Sequence, residues 1–291
     1  MRPLPRMLSC IRFDEVVVLQ GSPVLGAMFS MGAPAMDKWW RVMLMAAASF
    51  CLVAHVFVLN DWCGMGADLR DPNRADRVFT AKGISSREAG YLAVLLLALS
   101  LLLLVPLGAE ALLIALAVAV LSALYSVPML PMKGVPLFSS GLHFAGGLLH
   151  FLLGYSLFRA VDWRGAAIGS FFALTFMAGH LVQETRDHRS DRRNGIMTNS
   201  VRFGRARTFA AGFIAFTAAD LVLVGLAWRG LVPRVLLGVA VLYPLHLRRT
   251  LQAWRAGLTF ESIRRLQWGY RALYAIAGLV MFGSLLISGS Q

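Results

Sequence analysis

Charge is what this chain has least of. Only 15% of its 291 residues are Asp, Glu, Lys or Arg, against 58% hydrophobic residues, and the mean hydropathy is +0.66. A soluble globular domain carries about 25% charged residues, so that class is excluded and a chain crossing a bilayer repeatedly is expected. Cysteine is nearly absent. Cys10, Cys51 and Cys63 are too few and too scattered for a disulfide framework or a zinc site, and read as small apolar residues. Acids are scarce too, 15 against 28 Lys and Arg, for a net charge of +13. In a chain this apolar the bases are loop residues that set membrane orientation and meet anionic groups, so nucleic acid is excluded as a partner. A cleaved leader is not expected either. Arg2, Arg6 and Arg12 precede an apolar run from Val16 to Met31 and then Ala33-Pro34-Ala35, but Asp14 and Glu15 interrupt the basic region.

What the chain has is long apolar runs. After the first come runs at 39–60, 88–106, 109–130, 137–158, 164–185, 206–228, 231–250 and 268–288, each near the ~20 residues a crossing helix needs. The expectation is an all-α, polytopic membrane protein, a nine-transmembrane-helix bundle forming one domain over 1–291 in a lipid bilayer. Two long polar loops, 61–87 and 186–205, fall on one side and are crowded with bases, among them Arg70, Arg74, Arg77, Lys82, Arg189, Arg192 and Arg193. The positive-inside rule puts both loops and the N-terminus in the cytoplasm and the C-terminus outside.

The acids are placed with the same economy. On a helix, His180, Glu184, Asp187 and Asp191 stand at i, i+4, i+7 and i+11, so one face carries all four. A carboxylate at the bilayer centre costs roughly 2.5 to 3.5 kcal/mol on insertion scales, so such a row belongs at a helix end or beside a wet cavity. The pattern also recurs. At an offset of 123, Asn60-Asp61-x-x-Gly64-x-x-x-Asp68 overlays Gln183-Glu184-x-x-Asp187-x-x-x-Asp191. Four helices separate the copies, so both point the same way and make two facing polar mouths.

Acids one turn apart on two facing helix ends suit a hard divalent cation. Mg²⁺ usually binds through one or two carboxylates plus substrate phosphates, so Asp61 and Asp68 with Asp187 and Asp191 would grip a diphosphate through bridging Mg²⁺ ions. Asp71 and Asp76 read equally well as loop salt-bridge partners. An apolar bundle beneath such a mouth would hold an isoprenoid tail, and loss of diphosphate would leave an allylic cation that aromatic faces stabilise. Among Trp62, Tyr125, Phe144, Phe151 and Tyr155, Tyr125 stands out. It opens Tyr125-Ser126-Val127-Pro128-Met129-Leu130-Pro131-Met132-Lys133, where prolines end the fourth span near both acid loops. His143 and His150 share a helix face, and His180 would join them to bind or deprotonate a polar acceptor; histidines satisfied within the core are the competing reading. Gly141, Gly146, Gly147 and Gly154 on that span read as close helix packing. Asp220, inside the seventh span, should face inward toward a partner that the sequence does not name.

These residues resemble a known family. Arg186-Asp187-x-x-x-Asp191-x-x-x-Gly195-x-x-Thr198-x-x-Val201-Arg202-x-Gly204 is similar to the second aspartate-rich motif of the UbiA superfamily of intramembrane prenyltransferases, most of all its menaquinone branch. Asn60-Asp61 with Asp68 resembles the first motif, and Tyr125-Ser126, Pro128 and Lys133 resemble the connection after the fourth helix. The resemblance implies nine spans and Mg²⁺-dependent transfer of a prenyl group from a polyprenyl diphosphate donor to a hydrophobic or aromatic acceptor at a cytosol-facing site. On that reading Asp187, Asp191, Asn60, Asp61 and Asp68 hold metal, Lys133 with Arg193 or Arg74 steadies the diphosphate, and His143, His150, His180 and Glu184 line the acceptor pocket. An Asp normally stands where this chain has Gly64. Two other functions fit the same sequence: a terpene synthase of the same superfamily, which cyclises the ionised donor, and a transporter or non-catalytic lipid-binding protein.

Overall fold

The computed structural model describes residues 10–33, 35–70, 75, 78–130 and 132–288, and among them every regular element is helical. In chain order these are α1 (Phe13–Leu19), α2 (Gly21–Met31), α3 (Trp39–Asp68), α4 (Ser86–Leu104), α5 (Ala109–Ser126), α6 (Phe138–Tyr155), α7 (Trp163–Arg193), α8 (Asn199–Phe203), α9 (Arg205–Trp228), α10 (Tyr243–Arg255) and α11 (Phe260–Ser288). With most backbone amides bonded inside helices, the chain can enter a hydrocarbon layer that offers no hydrogen-bond partner. Many of its large apolar side chains face outward, Tyr91, Leu102, Leu113 and Leu279 among them, as lipid contact requires.

Six of the nine expected spans are helices long and apolar enough to cross: Met36–Asp68, Ser86–Leu107, Ala109–Ser126, Trp163–Arg193, Arg205–Trp228 and Phe260–Ile287. The other three fall short for local reasons. The first run divides into α1 and α2 around Gln20. In α6, two histidines, two serines and four glycines dilute an 18-residue helix. The run 231–250 is no single helix: it starts as a nine-residue 3₁₀ stretch, Arg234–Leu242, after Pro233, and becomes α10 only at Tyr243. Pro244, in the first turn of α10, has no amide to bond back into the preceding turn, so the two pieces cannot merge.

The polar loops also differ from expectation. Both begin later, because α3 runs on to Asp68 and α7 to Arg193. Asp61, Asp68, Asp187 and Asp191 are therefore helical residues near helix ends, not loop residues. Hydropathy marks where a helix leaves the bilayer, and the helix itself continues. At the end of α7 the bases Arg192 and Arg193 lie in the last turn, where cations complement the carbonyl-rich helix end.

The 123-residue offset holds for whole helices. Displacing α3 by 123 gives 162–191, and α7 spans Trp163–Arg193; displacing α4 gives 209–227, inside α9. The first run displaced by the same amount falls on α6, and α5 falls on the broken 234–255 segment. The most extensive packing repeats as well, α3 on α4 and α7 on α9. Across the halves, α2 crosses α6 at van der Waals distance: a Cβ on Gly154 would overlap the carbonyl of Pro23, and one on Gly26 the carbonyl of Phe151. Gly147 packs similarly against Phe176 and Ala173, whereas Gly141 meets open space.

At the far end of α7, Asp162 is the N-cap and accepts from the Gly165 amide at 2.8 Å. That amide, then Tyr155 and Arg159, hold its carboxyl below the usual carboxylate range.

Candidate active site

The site is built on the last four turns of α7. His180, Glu184, Asp187 and Asp191 are all buried, 4 to 8% exposed, as a shared helix face turned into the bundle requires. Burying carboxylates is costly unless each finds donors. Glu184 finds them across the bundle: Asn199 Nδ2 donates to it at 2.9 Å and Ser139 Oγ at 3.3 Å. Asn199 also donates to Ser140 Oγ at 3.1 Å and accepts from the Leu137 amide at 2.7 Å. One side chain thus locks the start of α6 to α7 and α8. Asp187 is held side-on by its neighbour Arg186, with bonds of 2.8 and 3.0 Å. Arg186 itself donates to Gln267 on α11 at 2.8 Å and lies over the Phe260 ring. Asp191 accepts from Thr198 Oγ1 at 3.4 Å, and its backbone carbonyl accepts from the Ile196 amide.

Deeper along the same face lies an aromatic and imidazole cluster. The rings of His143 and His180 stack at 3.6 Å, and Tyr125 meets both edge-on, at 4.9 and 6.0 Å between centroids. Phe176 closes the other side of His143 at 5.5 Å. His143 Nδ1 is 2.8 Å from the Ser139 carbonyl. A carbonyl only accepts, so Nδ1 carries the proton and Nε2 is the basic nitrogen of the neutral ring. His180 Nε2 sits 3.0 Å from Glu184 Oε1 but is out of line for a hydrogen bond. A base, an acid and a flat aromatic wall therefore share one buried spot.

The structure separates some residues that the sequence grouped. His150 lies two turns further along α6 and bonds Ser49 on α3 at 2.9 Å, away from the other histidines. Trp62 donates to Ser86 and covers Gly90, and Tyr155 is tied to Asp162 at the opposite end of α7, so neither lines this spot. Arg193 lies on the other face of α7 from the acids, among arginines. Arg74, Asp71 and Asp76 lie outside the described residues. Lys133 is within electrostatic reach of His143, and the next residue, Gly134, approaches the Met197 amide just beyond Asp191. Lys133 thus stands at the mouth.

The second acid-bearing end, that of α3, is adjacent: Asn194 Nδ2, just past α7, donates to the Ala67 carbonyl at 3.4 Å. There Asn60, Asp61 and Asp68 are half-buried. Asp61 is bound by both arms of Arg12, at 3.0 and 2.5 Å, and Arg12 also meets Glu15 and the Phe57 ring. A Cβ on Gly64 would meet only Asp68 Oδ2, at 3.8 Å, so an acid would fit there. Among the described residues, no three His, Cys, Asp or Glu converge as a ready-made metal cage. Hard oxygen donors in pairs on two neighbouring helix ends suit Mg²⁺, which takes few carboxylates and completes its shell with water and phosphate oxygens.

Arg12, Ser139, Ser140 and Asn199 were not candidates from the sequence. Asn199 follows Thr198 of the second motif, and Ser139 sits four residues before His143; those spacings were the available signal.

A membrane-crossing helical bundle with buried acids beside an aromatic and imidazole cluster is the frame of an intramembrane enzyme. The chain belongs to the UbiA prenyltransferase family, whose model matches residues 21–259, and is a multi-pass integral membrane prenyltransferase. The 4-hydroxybenzoate octaprenyltransferase of Cupriavidus necator is 26% identical over 226 residues, 75% of this chain and 78% of that one. Two solved structures share the fold. The apo UbiA homologue from Aeropyrum pernix K1 superposes with a TM-score of 0.74 at 20% identity, covering 93% of this chain and 98% of that one. The UbiA homologue from Archaeoglobus fulgidus bound to GPP and Mg²⁺ gives 0.69 at 17% identity, covering 97% and 99%.

Proposed function

We propose that this protein transfers a prenyl group from a polyprenyl diphosphate to an aromatic acceptor in a Mg²⁺-dependent reaction. The observation that carries this reading is the continuous α7 face, which runs from Asp191 and Asp187 through Glu184 to the Tyr125, His143 and His180 rings. A fold relative bound to GPP and Mg²⁺ and a curated relative named for 4-hydroxybenzoate support the donor and acceptor classes.

Asp187 and Asp191 would hold one metal ion, and Asn60, Asp61 and Asp68 would position another; bound there, Mg²⁺ neutralises diphosphate charge. Lys133 supplies a further cation at the mouth. The bond between prenyl C1 and the diphosphate oxygen breaks, and its electron pair leaves with the diphosphate. The Tyr125 face stabilises the allylic cation. A ring carbon of the acceptor then gives an electron pair to C1, and the proton on that carbon passes to His143 Nε2 or to the His180–Glu184 pair. Asn199 and Ser139 hold Glu184 for this step. The basic residues around both acid ends support a cytoplasmic mouth and N-terminus, with the C-terminus outside.

The test is product analysis by mass spectrometry. Purified enzyme is supplied with Mg²⁺ and labelled donors of several lengths, with and without a panel of aromatic acids. Prenylated acceptor, formed only when acceptor is present, supports transfer. A cyclic hydrocarbon or terpene alcohol from donor alone would replace this reading with cyclisation, and no Mg²⁺-dependent donor binding would favour transport or lipid binding.

A further inference from the structure

On the face of α7 turned away from the acids, His188, Arg189, Arg192, Arg193 and Arg205 line an open cleft of about 490 Å³. It lies where the end of α7 meets α8 and the start of α9. Five positive or titratable groups share it, and none of the four arginines forms a salt bridge with a described acid. Arg205 is spent partly on the Leu258 carbonyl, while its Nε is buried without a partner; His188 bonds Ser200 Oγ at 3.0 Å. Like charges gathered this closely repel unless an anion sits between them. The first turn of α9 adds a helix N-terminus with no side-chain cap, which also favours an anion.

Depth selects the anion. The apolar part of α7 ends near residue 185, so at 1.5 Å per residue positions 188 to 193 stand ~5 to 12 Å beyond it, within the headgroup layer. Arg205 opens the next span at the same level. The exposed side chain of Phe203, two residues before Arg205, offers apolar contact at this level. Basic pockets between membrane helices at this depth suit phosphate headgroups with acyl chains alongside.

We propose that this cleft is a binding site for the phosphate headgroup of an anionic membrane lipid, distinct from the substrate mouth on the opposite face of the same helix. A resident lipid there would brace the end of α7, the helix that carries Asp187 and Asp191. The site is independent of the transferase reading.

The test uses the full chain in neutral detergent. Thermal unfolding is followed with added phosphatidylglycerol, phosphatidylcholine or millimolar inorganic phosphate, and bound lipid is counted by native mass spectrometry. Phosphatidylglycerol is expected to raise Tm by several degrees and to remain bound, whereas phosphatidylcholine does neither. Arg189→Gln with Arg192→Gln should weaken that response at least tenfold, and the charge-keeping pair Arg189→Lys with Arg192→Lys should retain most of it. If the double Gln variant does not fold, either single Gln variant gives the same readout at reduced size. An unchanged phosphatidylglycerol response in the Gln variants overturns the proposal. So does an equal response to inorganic phosphate, or displacement of the lipid by Mg²⁺ and a prenyl diphosphate.

Discussion

The two acid-bearing helix ends have the same spacing and direction, yet the bundle treats them differently. On α7 the carboxylates are buried and each has a fixed donor: Arg186 for Asp187, Thr198 for Asp191, Asn199 and Ser139 for Glu184. On α3 the equivalents are half-exposed, one acid position is Gly64, and Asp61 is balanced by Arg12, which comes from outside the repeat. Contacts in a buried, satisfied network are strong and preorganised, whereas those of the half-exposed α3 acids are weakened by solvent. Duplication gave two equivalent ends, and packing made one an anchor and left the other adjustable.

The difference can be broken from the anchored side first. Asp191→Asn removes a charge from the rigid end, so Mg²⁺-dependent diphosphate release should fall by about two to three orders of magnitude, several kcal/mol of lost charge stabilisation. Next, Glu184→Gln should cut acceptor-dependent turnover by about a hundredfold, the scale of a lost acid–base contribution, while donor affinity measured by titration calorimetry stays within about twofold. On the adjustable side, Asp61→Asn should lower apparent Mg²⁺ affinity by no more than about tenfold, because Asn60, Asp68 and phosphate oxygens remain. Gly64→Asp should sharpen the comparison from the other direction. The added acid has room, so Mg²⁺ affinity should rise by about threefold, one more carboxylate in a partly hydrated shell, and an unchanged affinity would mean that Gly64 was never a gap.

The smallest effect belongs to the far end of α7. Because the Asp162 carboxyl is held below its ordinary value, chiefly by the Gly165 amide, its stabilisation is present above the unfolded pKa of about 3.9 and is lost as pH falls through the lower folded value. Melting curves of wild type and Asp162→Asn should therefore differ slightly at pH 5 and converge in stronger acid, with diphosphate release at neutral pH unaffected.

The anchored end was largely legible in the sequence because its four residues lie on one helix, where spacing alone assigns a face. Tyr125, His143 and His180 were also suggested, and the structure stacks the two imidazoles with Tyr125 edge-on to both. The donors to Glu184 were not legible: Asn199 and Ser139 reach it only once α6, α7 and α8 pack, and no periodicity encodes that. Helix ends were misread because hydropathy stops at residue 60 and again at 185, while helical hydrogen bonding continues to Asp68 and Arg193. Arg193 was grouped with the acids by proximity along the chain, although the two residues from Asp191, about half a helical turn, are enough to face it the other way. Asp220, whose partner was missing from the sequence, lies 3.5 Å from His246 and accepts from Tyr274, both contributed by helices that follow it.

The asymmetry itself is tested most directly by a Mg²⁺ titration of diphosphate release with Asp191→Asn and Asp61→Asn assayed side by side. The expected result is a loss at least tenfold larger for Asp191→Asn. Equal losses, or a larger one for Asp61→Asn, would contradict an anchored α7 end and an adjustable α3 end.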